Sequence, residues 1–568
     1  MADQPFTLES RSIEALPLVN HLLDRLRLGD LLTQHVPPGD RRQRLAPATA
    51  LGVLVRNLLL ARVPLYSQPA WAARAVPALL GLRPAEVARL TDDQVGRALD
   101  RLFDADRATL LTQVVVRAVT AFGVDLAQLH NDSTTVTLTG EYRQARGRTL
   151  RGQRALAIGH GHNKDHRPDL KQLLFVLTVS ADGAVPIHYR ACDGNTEDST
   201  THVQTWEVLR ALAGRPTFLY VADSKLCTHE TLRYIDARQG RFITVVPRTR
   251  REEAFFRDWL QTHPPAWQTV VQRRNPRRQS GPPDVWKVVE SPIPSQEGYR
   301  IVWVWSSLKA AQDEQARAAR IEKAGLALEE FRARLRGPRC RYTRRGAVAA
   351  AAAQLVEGAG AARWLGLEVR EQAALIFRQE HRGRPGRATR YRRRQRLRFD
   401  VEWSATVATI EYDARCDGIF PLITNDRDLS LAEILTAYKY QPRLEKRHGQ
   451  LKSVYAVAPV LLKNEGRIEA LLFLYFIVLL VQALLEREVR RAMTARGLTS
   501  LPLYPEDRDC LAPSAHGIFQ VFAGLQHHRL RRHDTLIQTF SPELTPLQRQ
   551  ILDLLGISPR EFTDAALS

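Results

Sequence analysis

Cysteine is scarce in this sequence, and its placement excludes several kinds of site. The five cysteines stand at positions 192, 227, 340, 416 and 510, and no two of them form a CxxC pair. A scattered, odd-numbered set argues against a disulfide framework and against a zinc site built from cysteine thiolates. The cysteine pattern therefore predicts a reduced, cytoplasmic protein.

Signals for export or membrane insertion are also lacking. The first residues, MADQPFTLESRS, do not combine a positively charged start with an apolar run. The most apolar stretch, residues 470–485, contains Gln482 and is shorter than the roughly 18 residues that a membrane span needs. We therefore expect a buried core helix there and no membrane partner. No GxSxG motif is present, which disfavours a serine hydrolase.

Acidic residues are fewer than basic ones, and this imbalance is large. The chain has 82 Lys and Arg against 61 Asp and Glu, a formal net charge of +21, and a pI near 10.2. A basic excess of this size is typical of proteins that bind a polyanion. A GC-rich genome, which raises the arginine and alanine content of exposed positions, is the alternative explanation. Clustering of the basic residues favours nucleic-acid binding.

At 568 residues the chain is too long for a single core, because such cores stop growing at roughly 250–300 residues. Residues 123–250 alternate strand and helix patterns, which indicates an α/β fold with a ribonuclease H-like mixed sheet and helices. We expect an α+β insertion in this sheet and a helical domain before it. The predicted regions are a helical, DNA-binding domain (1–122), the first part of a catalytic core (123–250), a basic α+β insertion (251–415), the second part of the core with a glutamate-bearing helix (416–495) and a helical tail (496–568).

The N-terminal region has no helix-turn-helix signature. A helical packing or oligomerisation module is therefore an open alternative to DNA binding for residues 1–122. Its expected helix starts include Pro47 and Thr91, the latter with Gln94 three residues on in the manner of a capping box.

Two aspartates lie in segments with strand-like alternation. Asp132 lies in LHNDSTTV, and Asp223 follows the apolar run of TFLYVADSK. Carboxylates from two strands of one sheet can converge at an edge, where hard cations such as Mg²⁺ find the oxygen ligands they prefer. Each aspartate taken alone is better explained as an ordinary residue at the end of a strand that makes turn contacts. Asp182, Asp193 and Asp198 are rival carboxylates; structural roles are expected for Asp182 and Asp193, which lie in the turn dipeptides DGA and DGN.

A third acid, Glu445, lies in the helical pattern YKYQPRLEKRHGQLK. Tyr438, Glu445 and Lys452 are seven residues apart and would share one face of a continuous helix. Pro442 predicts a kink or a new helix start within this stretch, because its ring clashes with the preceding turn. A charged helix of this kind is also typical of a solvated face.

Several motifs occur together in an order that resembles a known family. They are NDSTTV, GHNKDHRPDLKQLLFVLTVS, GNTEDSTTH, YVADSK, DGIFPLITN and the segment from Tyr438 to Lys452. Over residues 125–490 the chain resembles DDE-type insertion-sequence transposases, in the branch with a β-rich insertion before the catalytic glutamate. The family signature runs Tyr, two residues, Arg, three residues, Glu, six residues, Lys. Position 441 is Gln here, and the nearest arginine is Arg443.

The resemblance implies that Asp132, Asp223 and Glu445 are catalytic and hold two Mg²⁺ ions, with Mn²⁺ as a substitute. It implies a transposase that cleaves DNA at the terminal inverted repeats of its element and joins the ends to target DNA, as a homodimer in the DNA complex. Tyr438, Arg443 and Lys452 would contact the DNA. Such a protein would be cytoplasmic in bacteria and nucleoid-associated when bound. The alternatives are a nuclease of the same fold without strand transfer and a catalytically silent DNA-binding derivative.

Basic runs within the predicted insertion are further candidates for DNA contact. The runs are RRNPRR (273–278), RARLRGPRCRYTRR (332–345) and RGRPGRATRYRRRQRLR (382–398). Arg390, Arg392, Arg393 and Arg394 of the third run are predicted to bind DNA through phosphate contacts. A disordered loop that becomes ordered on DNA is the alternative for this run.

Overall fold

The computed structural model of the protein describes residues 6–274, 281–337, 340–454, 462–533 and 535–564. The first predicted basic run, 273–278, lies mostly outside the described residues. The chain forms two compact units. The first comprises residues 1–244 and 436–568, and the second comprises residues 245–435.

Helices dominate the N-terminal part of the first unit, after one short strand. The elements are β1 (Phe6–Ser12), α1 (Leu16–Arg25), α2 (Leu28–His35), α3 (Pro47–Leu59), α4 (Gln68–Arg74), α5 (Pro84–Val87), α6 (Asp92–Asp104) and α7 (Arg107–Phe122). Pro47 begins α3 as predicted, because the first turn of a helix needs no donor from that residue. The Thr91 hydroxyl accepts a hydrogen bond from the Gln94 amide at 3.3 Å, which confirms the predicted start of α6.

A mixed sheet with helices follows in the same unit. Its elements are β2 (Gln128–Leu138), β3 (Thr149–Leu150), β4 (Gln153–Arg154), β5 (Lys171–Ser180), β6 (Pro186–Cys192), α8 (His202–Ala213), β7 (Leu219–Ala222), α9 (His229–Asp236) and β8 (Arg241–Val245). The sheet order is β6-β5-β2-β7-β8. Strands β6, β5 and β2 pair antiparallel, whereas β2, β7 and β8 run parallel. This is the α/β class expected from the sequence.

The second unit is an α+β structure with an apolar core of its own. Its elements are α10 (Arg251–Thr262), β9 (Gln268–Arg273), β10 (Asp284–Glu290), β11 (Arg300–Ser306), α11 (Ser307–Arg336), α12 (Arg345–Gly358), β12 (Leu365–Gln379), β13 (Tyr391–Ala405), α13 (Val407–Arg415), β14 (Ile419–Thr424) and α14 (Leu431–Tyr438). Strands β9, β10, β11 and β14 form an antiparallel series. Strands β12 and β13 form a separate antiparallel hairpin.

The root of this hairpin packs on the two long helices of the unit. Val369 and Val401, which are cross-strand partners, are buried in one apolar cluster with Leu328 of α11 and Val356 of α12. Asp400, also on β13, accepts hydrogen bonds from Arg332 (3.0 and 3.2 Å) and from Arg336 (2.6 Å) of α11. The hairpin root is therefore held by both apolar packing and ion pairs.

Asp400 is expected to make the stability of this unit depend on pH. Burial would raise the pKa of Asp400, but hydrogen bonds from Arg332 and Arg336 outweigh it and lower the pKa to about 2. Because the folded-state pKa lies below the ordinary value, the stabilisation is present above about pH 4 and is lost as pH falls towards 2. The variant D400N should lose about 1–2 kcal/mol at pH 6, after allowance for solvent screening. Urea unfolding of both proteins between pH 6 and pH 3 should show this difference shrinking; a constant difference would contradict the assignment.

The C-terminal part returns to the first unit and mixes helices with strands. Its elements are α15 (Gln441–Gly449), α16 (Glu465–Ala495), β15 (Leu501–Tyr504), β16 (Arg508–Cys510), α17 (Ala515–Val521), β17 (Gln526–Arg532), β18 (Thr535–Phe540), α18 (Pro546–Leu555) and α19 (Arg560–Thr563). The prediction of a helical tail from residue 496 is thus wrong in part. Strand β17 pairs with β1 from the opposite end of the chain, a contact that no local pattern reveals.

Helix α16 is the central core helix of the first unit. By length and composition it could cross a membrane, with a mean hydropathy of 2.5 in its most apolar window of 18 residues, but that window is entirely buried within the protein. It packs against α3, α6, α18 and β6. The prediction of a buried core helix at 470–485 is confirmed.

Candidate active site

Asp132 lies within β2 and Asp223 directly follows β7, at the same level of these neighbouring parallel strands. In the register of β2 and β7, Asn131 pairs with Ala222, and the two aspartates are the next residues on each strand. Strand β7 ends at Ala222, whereas β2 continues to Leu138, so both carboxylates lie where β7 stops. Adjacent strands are about 4.8 Å apart, which makes the two residues neighbours across the sheet. The structure thus brings these two predicted site residues together.

Backbone contacts hold Asp223 in place after the strand. Its Oδ1 accepts a hydrogen bond from the Lys225 amide at 3.0 Å and so caps the short 3₁₀ turn that follows. Its backbone carbonyl accepts a hydrogen bond from the Thr244 hydroxyl at 2.5 Å. The side chain therefore begins from a fixed backbone position.

The electrostatic environment shifts the pKa values of the two aspartates in opposite directions. Burial raises the pKa of Asp223, and the negative charge of Asp132 raises it further. Burial also acts to raise the pKa of Asp132, but a hydrogen bond and charge from His448, with the charge of Lys164, lower it below its ordinary value. Two buried carboxylates that repel each other in this way form a site that a cation would stabilise.

Lys164 already places one cation among these acids. Its Nζ is 3.7 Å from Asp132 Oδ1 and 3.1 Å from Asp198 Oδ2, and it donates hydrogen bonds to the hydroxyl and the carbonyl of Ser133, each at 2.7 Å. Asp198 also contributes to the raised pKa of Asp223. Asp198 is one of the rival carboxylates singled out from the sequence, and the structure places it beside Asp132 and Lys164. The signal was its position in GNTEDSTTH, one of the motifs that carry the family resemblance.

Helix α15 carries Glu445 and is held against the first half of β2 by side-chain contacts. The buried Gln441 side chain donates to the Asn131 carbonyl at 3.2 Å and lies 2.9 Å from His130 Nδ1 through its Oε1. Seven residues later, His448 Nδ1 lies 3.5 Å from Asp132 Oδ2. The residue that departs from the family signature, Gln441, therefore connects the helix to the strand. Sequence reasoning missed His448, because nothing in the pattern distinguishes it from a surface residue.

Glu445 precedes His448 by one helical turn, so both project from the same side of α15. Glu445 is exposed, and its carboxylate forms no ion pair within the described residues. Burial raises the pKa of Tyr438 to about 12, and the charges of Asp223, Glu445 and Asp132 all add to this rise. One phenol is therefore within electrostatic range of all three predicted acids.

The predicted seven-residue face is interrupted. Helix α14 ends at Tyr438, α15 starts at Gln441 with Pro442 in its first turn, and Lys452 lies in a π-helical turn spanning Gln450–Val454. The new helix start that Pro442 indicated is confirmed. Lys452 Nζ lies 2.5 Å from Asp165 Oδ1 in the loop that also contains Lys164.

The remaining predicted DNA contacts lie on exposed surfaces. Arg443 is exposed on α15, with its guanidinium 5.0 Å from the centroid of the Tyr440 ring. Arg390, Arg392, Arg393 and Arg394 belong to the second unit, where all four are exposed at the outer end of the β12–β13 hairpin. Their contact with DNA stays a prediction.

The donor atoms at this site are suited to a hard cation. Asp132, Asp223, Asp198 and Glu445 offer only carboxylate oxygens, which are the ligands that Mg²⁺ and Mn²⁺ take in proteins. In the described part of the chain, no three acidic, histidine or cysteine side chains are grouped closely enough to enclose a metal ion. Metal binding by Asp132, Asp223 and Glu445 therefore stays a prediction.

Comparison with known proteins gives one family match and several distant structural matches. Residues 8–116 match a domain of unknown function, DUF4277. No curated protein matches the chain. A piggyBac transposase synaptic complex with hairpin DNA is 11% identical with a TM-score of 0.27, covering 53% of this chain and 63% of that one.

Two further matches are structures of the Mos1 transposase. The paired-end complex with the left transposon end is 10% identical, with a TM-score of 0.13, and covers 35% of this chain and 59% of that one. The Mos1 mariner paired-end complex with Mn is 11% identical, with a TM-score of 0.14, and covers 39% and 65%. The chain thus spans less than two thirds of each of these proteins. Similarity at these scores does not establish a common fold.

Proposed function

We propose that the protein is a DDE-type transposase that cleaves DNA at the ends of its element and transfers those ends to target DNA. Support comes from one observation above all: Asp132 and Asp223 leave adjacent parallel strands, and the helix bearing Glu445 is fastened to the strand of Asp132. The antiparallel strands β6, β5 and β2, followed by the parallel strands β7 and β8, are also compatible with the mixed α/β sheet that the sequence predicts.

Asp132, Asp223 and Glu445 would hold two Mg²⁺ ions, or Mn²⁺ in their place. When bound, such a pair activates the attacking oxygen and stabilises the leaving oxygen of an in-line displacement at phosphorus. The repulsion that raises the pKa of Asp223 is the electrostatic reason for cations at this position. Asp198 and Lys164 would set the charge balance beside the ligands.

Tyr438 and the basic residues of the site would position the DNA. Because the pKa of Tyr438 is raised to about 12, its phenol stays protonated at neutral pH and donates a hydrogen bond rather than accepting a proton. A phosphate oxygen is a suitable acceptor. Arg443 of α15 and Lys452 of the turn that follows α15 would supply positive charge near the DNA. The partners would be terminal inverted repeats and target DNA, bound by a homodimer.

A joining assay separates this function from its rivals. Purified protein, Mg²⁺ and DNA carrying the repeats that flank its own gene should give nicked ends, and pre-cut ends should become joined to a plasmid. A nuclease of the same fold would nick without joining, and a catalytically silent derivative would bind DNA without cutting it. Either result would refute the proposed transposase.

The variant E445Q should lose cleavage and joining by more than about 100-fold, since even groups that only support metal ligands contribute 10- to 100-fold. Glu445 is exposed and forms no ion pair in the described part of the chain. The melting temperature of E445Q should therefore equal that of the wild type. The matched control is E433Q on α14, where the exposed carboxylate caps a helix through Ser430 at 2.7 and 2.8 Å. Equal activity of E445Q and the control would remove Glu445 from the site.

A further inference from the structure

The β12–β13 hairpin extends well beyond the core that supports its root. Its strands pair without interruption from Leu365 with Ala405 to Gln379 with Tyr391. Phe399 is the last buried residue of β13 towards the tip, and every residue at 391–398 is exposed. The outer eight pairs, from Gln372 with Arg398 onward, span about 24 Å at 3.4 Å per residue. Residues 391–398 of the predicted third basic run thus form one strand of a paired ribbon, and residues 382–390 form its tip.

The register sorts the side chains of this ribbon into two faces. Directly opposite residues share a face, and successive residues alternate between faces. Arg378 lies opposite Arg392, so both share one face with the alternate residues further along β13. We call this the arginine face; its members are Arg378, Arg392, Arg394, Arg396 and Arg398. The opposite face carries Leu375, Phe377, Tyr391, Arg393 and Leu397.

Positive charge on the arginine face is not balanced by nearby acids. Residues 372–398 contain ten arginines and a single acid, Glu380. Within the described residues, no member of the arginine face forms an ion pair. The one side-chain hydrogen bond of this face is from Arg396 to the Cys340 carbonyl at 2.9 Å. The direct pair of Arg378 and Arg392 is itself repulsive, because like charges directly opposite each other destabilise a strand pair.

The root of the same hairpin shows the contrasting arrangement. There Arg370 pairs with Glu402 at 2.7 Å, and Asp400 is shared by Arg332 and Arg336. Arginines near the core are therefore matched by carboxylates within the protein, whereas those of the outer ribbon are not. A partner that carries regularly spaced negative charge would complete the outer part.

Duplex DNA fits this surface in both charge and shape. Its major groove is about 12 Å wide and admits a two-stranded β-ribbon. Each of its strands presents one phosphate for about every 3.4 Å of helix axis, and the guanidinium fork of arginine matches phosphate oxygens. Duplex RNA fits less well, because its major groove is too narrow and deep for side chains.

We propose that the arginine face of the β12–β13 ribbon docks into a groove of duplex DNA and makes phosphate contacts there. This inference rests on the proposed function only in taking DNA as the partner. It assigns the contact to one face of the ribbon, whereas the sequence singled out Arg390 and Arg392–Arg394 without regard to face. Phosphate contact makes the binding tolerant of sequence and steeply dependent on salt.

The test compares two triple variants of the full chain that remove the same charge. R392Q/R394Q/R398Q removes three of the five arginines of the arginine face, and R215Q/R233Q/R320Q removes three exposed arginines from elsewhere in the chain. None of these six residues forms an ion pair within the described residues, so both variants should fold like the wild type. Binding to a mixed-sequence DNA duplex is measured in EDTA, between about 50 and 200 mM salt.

We expect the plot of log affinity against log salt to become shallower by about 3 for the arginine-face variant, at roughly 0.9 per lost phosphate contact, and to stay unchanged for the control. An unchanged slope in the arginine-face variant, or an equal change in both, would overturn the proposal. If the slope changes equally with duplex RNA, the claim that the ribbon fits the groove of DNA is contradicted. This binding test does not require cleavage. If the arginine-face variant shows the shallower salt dependence but the wild type never cuts DNA, the proposed transposase function is refuted and the proposed DNA contact of the ribbon is supported.

Discussion

D223N should abolish Mg²⁺-dependent DNA cleavage without lowering the stability of the protein. The loss of activity should exceed about 1,000-fold, because the amide removes a charged ligand from the proposed metal site. Stability should hold or rise, because burial and the charge of Asp132 raise the pKa of Asp223, which means that its ionised form is disfavoured in the folded state. Asparagine keeps the shape and can still accept the hydrogen bond of the Lys225 amide. Cleavage assays and thermal unfolding in EDTA at pH 7 measure the two effects.

The companion variant D132N should lose as much activity with a different effect on stability. His448 and Lys164 lower the pKa of Asp132, so its charge contributes to folding, and D132N should melt at a lower temperature than D223N. The matched control is D169N, which alters an exposed carboxylate whose one ion pair among the described residues is with Arg167. DNA affinity should stay near that of the wild type in all three variants. Normal cleavage by D223N or D132N would exclude that residue from the site.

Local pattern was sufficient for the parts of this site that lie within single elements. Strand alternation placed Asp132 on β2, the apolar run before Asp223 predicted β7, and Pro442 indicated where the helix of Glu445 begins. Each of these depends on neighbours within a few residues. They were predictable because strand and helix periods, and the constraints of proline, act over that range.

Contacts between distant segments were not predictable in the same way. Lys164 reaches Asp132 and Asp198 from a loop, and β1 pairs with β17 from the other end of the chain. Such pairings depend on tertiary packing, and the periodicity of a single sequence carries no information about it. The basic run at 382–398 shows the same limit, because a disordered loop was an open alternative for it, whereas its residues 391–398 pair with β12.

The stability of the glutamate helix should depend most on one buried ion pair. Arg447 of α15 lies 3.0 Å from Glu486 of α16, and the two side chains are only 4% and 2% exposed. Arg447 also donates to the carbonyls of Ala184 (3.0 Å) and Gly183 (3.1 Å) in the turn between β5 and β6. One guanidinium thus joins the helix that carries Glu445, the sheet and the core helix.

R447M should lower the free energy of unfolding by about 3–5 kcal/mol, because it leaves Glu486 buried without its main charge partner. Burial acts to raise the pKa of Glu486, and Arg447 and Arg490 lower it below its ordinary value. Without Arg447 the pKa should rise, so the deficit should be largest at neutral pH and shrink as pH falls and Glu486 takes up a proton. Urea unfolding at pH 7 and pH 5 measures both effects.

Two comparisons decide whether the buried charge is the cause. The surface variant R97Q breaks the ion pair with Asp93 on α6 and should cost less than about 1 kcal/mol. The double variant R447M/E486M replaces both charges with apolar groups and should recover most of the loss, because a buried ion pair contributes little over a well-packed apolar pair. If the double variant is no more stable than R447M, the loss comes from the hydrogen bonds to Gly183 and Ala184 rather than from an unpaired carboxylate, and the anchoring of the Glu445 helix to the sheet is then the dominant role of Arg447.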